Sequence, residues 1–282
     1  MEASESLNTE NVENSEELRM KESENLQKTP EIKNKWLYLI IPSLVIAFAE
    51  LMIFSGRITE ALEIHAVVLI GLSLSTMFVK DREIQKLYLA LVLLPILRLV
   101  NLSMPVFYET TLYSFIFIYG LLAIPVSIAV THQELTPAQL GITFKKLWIY
   151  IPFSIMLGYL LGAGEYMIIK TNNLIPNLSI FNLLMLGIVM ILFVGLVEEM
   201  IFRSILQSRL EIVFGNWKGL IITSVLFGLM HSGYGNINEV LYTSFVGLVI
   251  GYLFYRTRSL PLVTLIHGFI NFFVFGIFPL LL

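Results

Sequence analysis

A series of long apolar runs, separated by short polar loops, most constrains what this chain of 282 residues can fold into. A helix needs about 20 apolar residues to cross the hydrocarbon core of a bilayer, and most of the runs approach that length. In lipid, every backbone polar group must be paired inside its own segment, so the runs are predicted to be helices rather than open strands. The predicted spans are approximately 36–54, 62–79, 86–103, 112–130, 147–164, 180–197, 219–232, 239–255 and 260–280.

Two of the nine runs are weaker candidates, because run 86–103 contains Arg98 and run 219–232 is short. We therefore expect an all-α, polytopic transmembrane bundle of eight or nine helices. The composition agrees with lipid as the solvent: the chain is 56% hydrophobic and 14% charged, whereas soluble domains are about 25% charged. The absence of cysteine excludes disulfides, thiolate metal sites and cysteine nucleophiles.

The N-terminal segment differs from the rest of the chain. Residues 1–35 carry nine Glu and five Lys or Arg and few apolar side chains. Such a segment cannot bury enough apolar surface to offset the entropy of folding, so it is predicted to be a disordered acidic tail. It is not a signal peptide, since no apolar run follows a basic start.

Basic residues mark alternate loops and predict an orientation in the cell membrane. They are Lys33, Lys35, Lys80, Arg82, Lys86, Lys145, Lys146, Arg203, Arg209, Lys218, Arg256 and Arg258. The intervening loops hold Arg57 and Lys170. Because cytoplasmic loops carry an excess of Lys and Arg, the N-terminus is predicted to be cytoplasmic if all nine runs cross. Glu198, Glu199 and the loop after them then lie near the cytoplasmic side.

Ionisable residues inside apolar runs are candidates for function, since each costs roughly 2.5–3.5 kcal/mol at the centre of a membrane helix. The sequence "GLVEEMIFRSILQSR" places Glu198 and Glu199 at the end of an apolar run. Glu199 and Arg203 are four residues apart and can pair on one helix face. Glu198 is rotated from Glu199 by about 100° and stays available for chemistry. Glu50, Arg98 and Glu165 have no partner in the pattern and are interpreted as structural.

Three further polar side chains follow in the last third of the chain. His231 ends the stretch "FGLMH", and His267 and Asn271 are four apart in "HGFIN". A partly desolvated carboxylate is suited to act as a general base, an imidazole orients water, and an amide donates to an oxyanion. The set fits attack of water on an amide. It also fits a zinc centre with Glu198, His231 and His267 as ligands and one open position.

Several other hydrolytic sites are excluded. An aspartyl intramembrane protease needs two aspartates, and this chain has only Asp81. No HExxH zinc motif and no GxSxG nucleophile motif is present.

The polar motifs resemble those of a known family. The stretch "EEMIFR" resembles the EExxxR motif of the CAAX-processing and bacteriocin-processing (CPBP or Abi) proteases, also called type II CAAX prenyl endopeptidases. "FGLMH" resembles their FxxxH motif and "HGFIN" their HxxxN/B motif, in the family order. "ELTPAQLGITFKK" resembles the segment that often precedes this domain. The resemblance covers residues 134–282, which predicts three parts: the tail 1–35, N-terminal transmembrane helices 36–133 and a catalytic transmembrane domain 134–282.

The resemblance implies an intramembrane endopeptidase in which Glu198 and His231 activate water. His267 and Asn271 would stabilise the oxyanion of the tetrahedral intermediate. The implied partners are a peptide or protein substrate and the lipid bilayer, and no nucleic acid is expected. Prenylated CAAX-type C-termini are the substrates of eukaryotic members, while many prokaryotic members process or resist bacteriocins. A non-enzymatic membrane protein, such as a bacteriocin immunity protein or a transporter, is the alternative.

By the same resemblance, Glu199 and Arg203 would hold the first motif in place. Family members have been described both as metalloproteases and as metal-free glutamate proteases. With no Cys, one Asp and no HExxH, the sequence gives no independent reason to require a metal. We therefore predict glutamate-type catalysis without a required cofactor. Zinc held by Glu198, His231 and His267 is the alternative.

Overall fold

The structure, a computed structural model, describes residues 35–103 and 111–282. The chain divides into a short unit, Met1–Leu37, and a large unit, Tyr38–Leu282. Of the short unit, only the three residues that begin the first helix are described. Apart from Lys35, the predicted acidic tail lies outside the described residues. The three-part division at residues 36 and 134 stays a prediction.

Helices account for most of the described chain, and strands are absent from 35–103 and 111–282. Their bounds are Lys35–Phe54 (α1), Ile58–Phe78 (α2), Arg82–Leu91 (α3), Leu93–Ser103 (α4), Ser114–His132 (α5), Leu147–Ile169 (α6), Ile180–Phe214 (α7), Asn216–Leu229 (α8), Ile237–Thr257 (α9) and Leu260–Leu281 (α10). With α3 and α4 taken as one span, eight of these segments are long and apolar enough to cross a membrane. The all-α, multi-pass prediction is confirmed.

Helix α7 is much longer than predicted. The predicted span ends at residue 197, but the helix continues to Phe214 and is 35 residues long. Arg203 and Arg209 suggest a loop, yet both side chains are buried. Arg209 Nη1 donates to Glu83 Oε2 at 2.6 Å, and its Nε donates to Gln133 Oε1 at 2.9 Å. Charged residues therefore continue the helix because other segments of the chain supply their partners.

The middle of α7 is not a regular α-helix. Two π-helical segments, Val189–Gly195 and Met200–Gln207, flank the short α-helical stretch Leu196–Glu199. The wider π turns are rare and concentrate at functional sites. Glu198 and Glu199 therefore lie in the middle of a long helix, and the expectation that they end a span is wrong.

Helix α8 is shorter than a membrane span. Its 14 residues extend about 21 Å, against a hydrocarbon core of about 30 Å. It packs antiparallel to α9, and Asn216 Nδ2 at its start donates to Tyr255 Oη near the end of α9 at 3.4 Å. A Cβ at Gly228 would lie 2.5 Å from the carbonyl oxygen of Val240, so the close contact of the two helices requires glycine.

The antiparallel pairing of α8 and α9 bears on the predicted orientation of the loops across the membrane. The loops before α8 and after α9 lie at the same end of the bundle, as the charge pattern requires, although α8 is not itself long enough to cross. The segment 133–146 joins this end. The Leu140 carbonyl accepts from Ser204 Oγ at 2.7 Å, and the Gly141 carbonyl accepts from the Leu260 amide at 2.7 Å.

A testable prediction follows for the orientation of the helices. Because the native chain has no cysteine, Lys145→Cys and Lys170→Cys each give a single thiol at an exposed position. The charge pattern predicts that a membrane-impermeant maleimide added to intact cells labels position 170 and not position 145. Lysed cells provide the control, since both positions should then react. Protection of position 170 in intact cells, with labelling of position 145, would reverse the predicted orientation.

Candidate active site

One cavity of about 180 Å³ receives side chains from all three polar motifs. It is lined by Glu198 of α7, His231 from the turn after α8, and His267 and Asn271 of α10. Glu198, His267 and Asn271 are each less than 10% exposed. The structure therefore brings the four predicted catalytic side chains to one place.

The two carboxylate oxygens of Glu198 have different surroundings. Oε1 accepts a hydrogen bond from the hydroxyl of Tyr119, which lies on α5 and is 5% exposed. Oε2 lies 3.8 Å from Nε2 of His267. One oxygen is thus fixed by a phenol, and the other faces an imidazole.

The sequence patterns did not identify Tyr119 as a residue of the site. It stands in the apolar stretch "SFIFIYGLL", 79 residues before Glu198, where no local spacing connects the two. A tyrosine in an apolar helix could have suggested a polar partner nearby, since a buried tyrosine hydroxyl usually has a hydrogen-bond partner. Asn101 of α4 lines the same cavity, so helices before the motif region complete the site.

Glu199 connects two other motif residues. Its Oε1 accepts from His267 Nδ1 at 2.7 Å, and its Oε2 lies 3.3 Å from Arg203 Nε. The ion pair with Arg203 was expected from the four-residue spacing, although these two atoms do not form a hydrogen bond. The contact with His267 was not expected. With Nδ1–H directed at Glu199, the Nε2 atom of His267 is presented towards Glu198.

Arg203 is fully buried and ties α7 to two further helices. Its guanidinium carbon lies 4.5 Å from the centre of the Phe227 ring of α8. Its Nη2 donates to the carbonyl of Gly247 on α9 at 3.4 Å. A cation over an aromatic face in a desolvated site is stabilised by the ring quadrupole. Glu199 and Arg203 therefore hold the helices that surround the cavity.

His231 is oriented by its own motif. Its Nδ1 donates to the carbonyl of Phe227 at 2.9 Å, which leaves Nε2 free for the cavity. The Phe227 ring centre is 4.9 Å from that of His231 and 5.7 Å from that of His267, and it meets His267 edge to face. Phe227 thus contacts both imidazoles and restricts their movement.

Close contact of α7 with α10 brings the first and third motifs together. A Cβ at Gly268 would lie 2.7 Å from the Cα of Ile191, so glycine is required there. Small residues at helix contacts allow membrane helices to approach closely. This contact lies one residue from His267 and supports its approach to Glu199.

The three candidate zinc ligands lie in the same cavity but do not form a recognisable metal site. Within the described ranges, no three or more His, Cys, Asp or Glu side chains form a group that could hold a metal ion. Both imidazoles have Nδ1 bonded and Nε2 free, as metal-ligating histidines often do. Glu198, His231 and His267 nevertheless line the cavity without converging as three ligands. Catalysis without a metal therefore stays a prediction, and zinc held by these three residues stays its alternative.

Residues interpreted as structural also surround the cavity. Glu50 and Arg98, for which the sequence offered no partner, form a buried ion pair beside the His231 turn. Arg98 and Glu165 both line the cavity. The pattern missed the pair because Glu50 and Arg98 are 48 residues apart and lie on different helices.

Removal of the Tyr119 hydroxyl tests its action on Glu198. Tyr119→Phe should lower kcat about 10- to 100-fold, since hydrogen bonds to charged groups contribute about 1.5–3 kcal/mol. The readout is the steady-state kinetics of peptide cleavage, the activity that the motif resemblance implies, with the purified protein. Tyr113→Phe, at an exposed position just before α5, is the matched control and should leave kcat unchanged. Equal kcat for both variants would show that Tyr119 does not support Glu198.

Comparison with known proteins agrees with the motif analysis. Residues 180–273 match the family described as Type II CAAX prenyl endopeptidase Rce1-like. The matched region runs from the start of α7 into α10 and contains Glu198, His231, His267 and Asn271. No curated protein and no solved structure gave a significant match. The resemblance is therefore confirmed, and the match supports an intramembrane endopeptidase of the CAAX type in general.

Proposed function

From the Rce1-like region at 180–273, we propose that this protein hydrolyses a peptide bond inside the membrane with water activated by Glu198. One observation carries the proposal: a carboxylate, two imidazoles and an amide from three separate parts of the chain line a single cavity. Polar groups buried at membrane depth are costly and mark functional sites. Simple helix packing would not require four of them to meet.

Glu198 acts first as a base and then as an acid. Its Oε2, the oxygen not held by Tyr119, accepts a proton from water while the water oxygen attacks the substrate carbonyl carbon. His231 accepts a hydrogen bond from the same water through Nε2 and aligns it. When the C–N bond breaks, Glu198 returns the proton to the leaving nitrogen, which yields a carboxylic acid and an amine.

His267 and Asn271 stabilise the oxyanion. Charge develops on the carbonyl oxygen only as water adds, so donors aimed at that position stabilise the transition state more than the bound substrate. Asn271 donates through its amide. For the same role His267 must be protonated on both nitrogens, with Nδ1–H on Glu199 and Nε2–H on the oxyanion. Glu199 then positions His267 rather than reacting itself.

The proposed substrate is a protein with a prenylated CAAX-type C-terminus. The family description supports this class. The cavity wall also combines the polar groups with apolar side chains that suit a lipid-modified peptide. These apolar residues are Leu97, Phe115, Met190, Val194, Met230 and Phe275.

The decisive experiment is cleavage by the purified full-length protein in lipid nanodiscs. Farnesylated and unmodified CAAX peptides, and a mixed peptide library, are analysed by mass spectrometry with and without a chelator. We expect cleavage after the farnesylated cysteine, insensitive to the chelator. Loss of activity with chelator and recovery with zinc would instead support Glu198, His231 and His267 as metal ligands. Intact peptides under all conditions would refute the protease and favour a non-enzymatic membrane protein.

A further inference from the structure

We propose that the ion pair between Arg98 and Glu50, supplied by helices outside the matched region, positions His231 for the reaction. The proposal rests on the proposed function, because it assigns a role to His231 in hydrolysis. Arg98 lies on α4 and Glu50 on α1, whereas the matched region begins at residue 180. The N-terminal helices would thus contribute directly to the site.

The pair itself has the geometry of a strong, oriented interaction. Arg98 Nε donates to Glu50 Oε1 at 2.8 Å, and Arg98 Nη2 donates to Glu50 Oε2 at 2.6 Å. Glu50 is fully buried and Arg98 is 6% exposed. A guanidinium that binds a carboxylate through two parallel bonds is fixed in direction as well as in place. His65 of α2 adds a contact of 3.1 Å to Glu50 Oε1.

Both members of the pair also bind the turn that carries His231. Arg98 Nη2 donates to the backbone carbonyl of Met230 at 2.6 Å, and the Ser232 hydroxyl donates to Glu50 Oε2. The residues immediately before and after His231 are therefore held by the same ion pair. The imidazole is additionally held through its own bond to the Phe227 carbonyl.

The turn needs such external partners. Helix α8 ends at Leu229 and α9 begins at Ile237, so the intervening residues have only a short 3₁₀ turn of their own. A buried ion pair used only to pack helices is often replaceable by apolar residues without loss of stability. Apolar replacements, however, could not bind the Met230 carbonyl and the Ser232 hydroxyl on the two sides of His231. An imidazole displaced by about 1 Å from its productive position loses about 100-fold in rate.

Steady-state kinetics separate positioning from substrate binding. Arg98→Met should lower kcat about 10- to 100-fold, with KM changed less than about threefold, because misorientation of His231 affects the chemical step. Arg98→Lys should recover part of the rate, since an ammonium keeps the charge but not the two-pronged geometry. An unchanged kcat in folded Arg98→Met would overturn the proposal.

Arg209→Met is the matched control for stability. Arg209 is similarly buried and its guanidinium pairs with Glu83 at 2.6 Å, but it contacts neither the His231 turn nor the cavity. We expect Arg209→Met to lower the melting temperature while kcat stays near that of the unchanged protein. If both variants lower kcat equally, Arg98 has only a structural role and the proposal fails.

A second measurement does not depend on activity. Gly233→Cys gives a single thiol on the exposed turn, and a Cβ there would have no neighbour nearer than 3.9 Å. A nitroxide at this position should be immobilised with Arg98 present and more mobile with Arg98→Met. Equal mobility in the two backgrounds overturns the positioning proposal. Absence of hydrolysis by the unchanged protein, with the mobility difference retained, refutes the proposed function alone.

Discussion

Replacement of Glu198 by glutamine is expected to reduce peptide hydrolysis by about 10²- to 10⁴-fold, the usual contribution of a general base. Glutamine keeps the size of the side chain, and its amide oxygen can still accept from the Tyr119 hydroxyl that now binds Oε1. What is lost is the oxygen that takes a proton from water. The measurement is kcat of the purified variant, with its melting temperature compared with that of the unchanged protein.

Glu199→Gln is the internal comparison, because it makes the same change one residue away. Glu199 contacts His267 and Arg203, and in the proposed mechanism only Glu198 acts on the reacting atoms. Removal of one partner of a buried ion pair destabilises a protein by about 3–5 kcal/mol, so this variant should melt at a lower temperature. Its activity should fall less than that of Glu198→Gln, and Arg203→Ala should behave similarly. Complete and equal loss of activity in two well-folded glutamate variants would contradict the separate roles.

Loss of an oxyanion donor is the second large effect. Asn271→Ala and His267→Ala should each lower kcat by about 10²- to 10³-fold, with a smaller change in KM. The reason is that the donors meet full negative charge only in the transition state. Steady-state kinetics with a farnesylated CAAX peptide give both parameters.

Asn182→Ala is the control for the Asn271 variant. Asn182 lies near the start of α7, where its amide donates to Asn177 far from the cavity lining. This change should leave kcat and KM unaltered. A rise in KM larger than the fall in kcat for Asn271→Ala would instead assign Asn271 to substrate binding.

The features that the sequence predicted well are local ones. Hydropathy identified the apolar helices because lipid imposes a composition on every segment that crosses it. The four-residue spacing of His267 and Asn271 placed both on one face of α10, and the structure directs both into the cavity. Likewise, the spacing of Glu199 and Arg203 predicted their contact. Each of these inferences needs only the geometry of a single helix.

Features that depend on distant partners were missed. Helix α7 continues through Arg209 because Glu83 and Gln133 bind that side chain. A hydropathy scale treats Arg209 only as a charged residue and therefore predicts a loop there. The bond from Tyr119 to Glu198 and the pair of Arg98 with Glu50 join residues on different helices. Without a second sequence for comparison, nothing links such positions. The π-helical segments around Glu198 are equally invisible to a pattern with a 3.6-residue period.

The short helix α8 also has a consequence for the surrounding lipid. Its Ile221 and Val225 side chains point outward, yet its 14 residues span only about two thirds of the acyl-chain region. Such a hydrophobic mismatch is relieved by local thinning of the bilayer. Thinning beside α8 would bring the headgroup region closer to the turn that holds His231. For the proposed enzyme, acyl-chain length would then affect how readily a substrate and water reach the cavity.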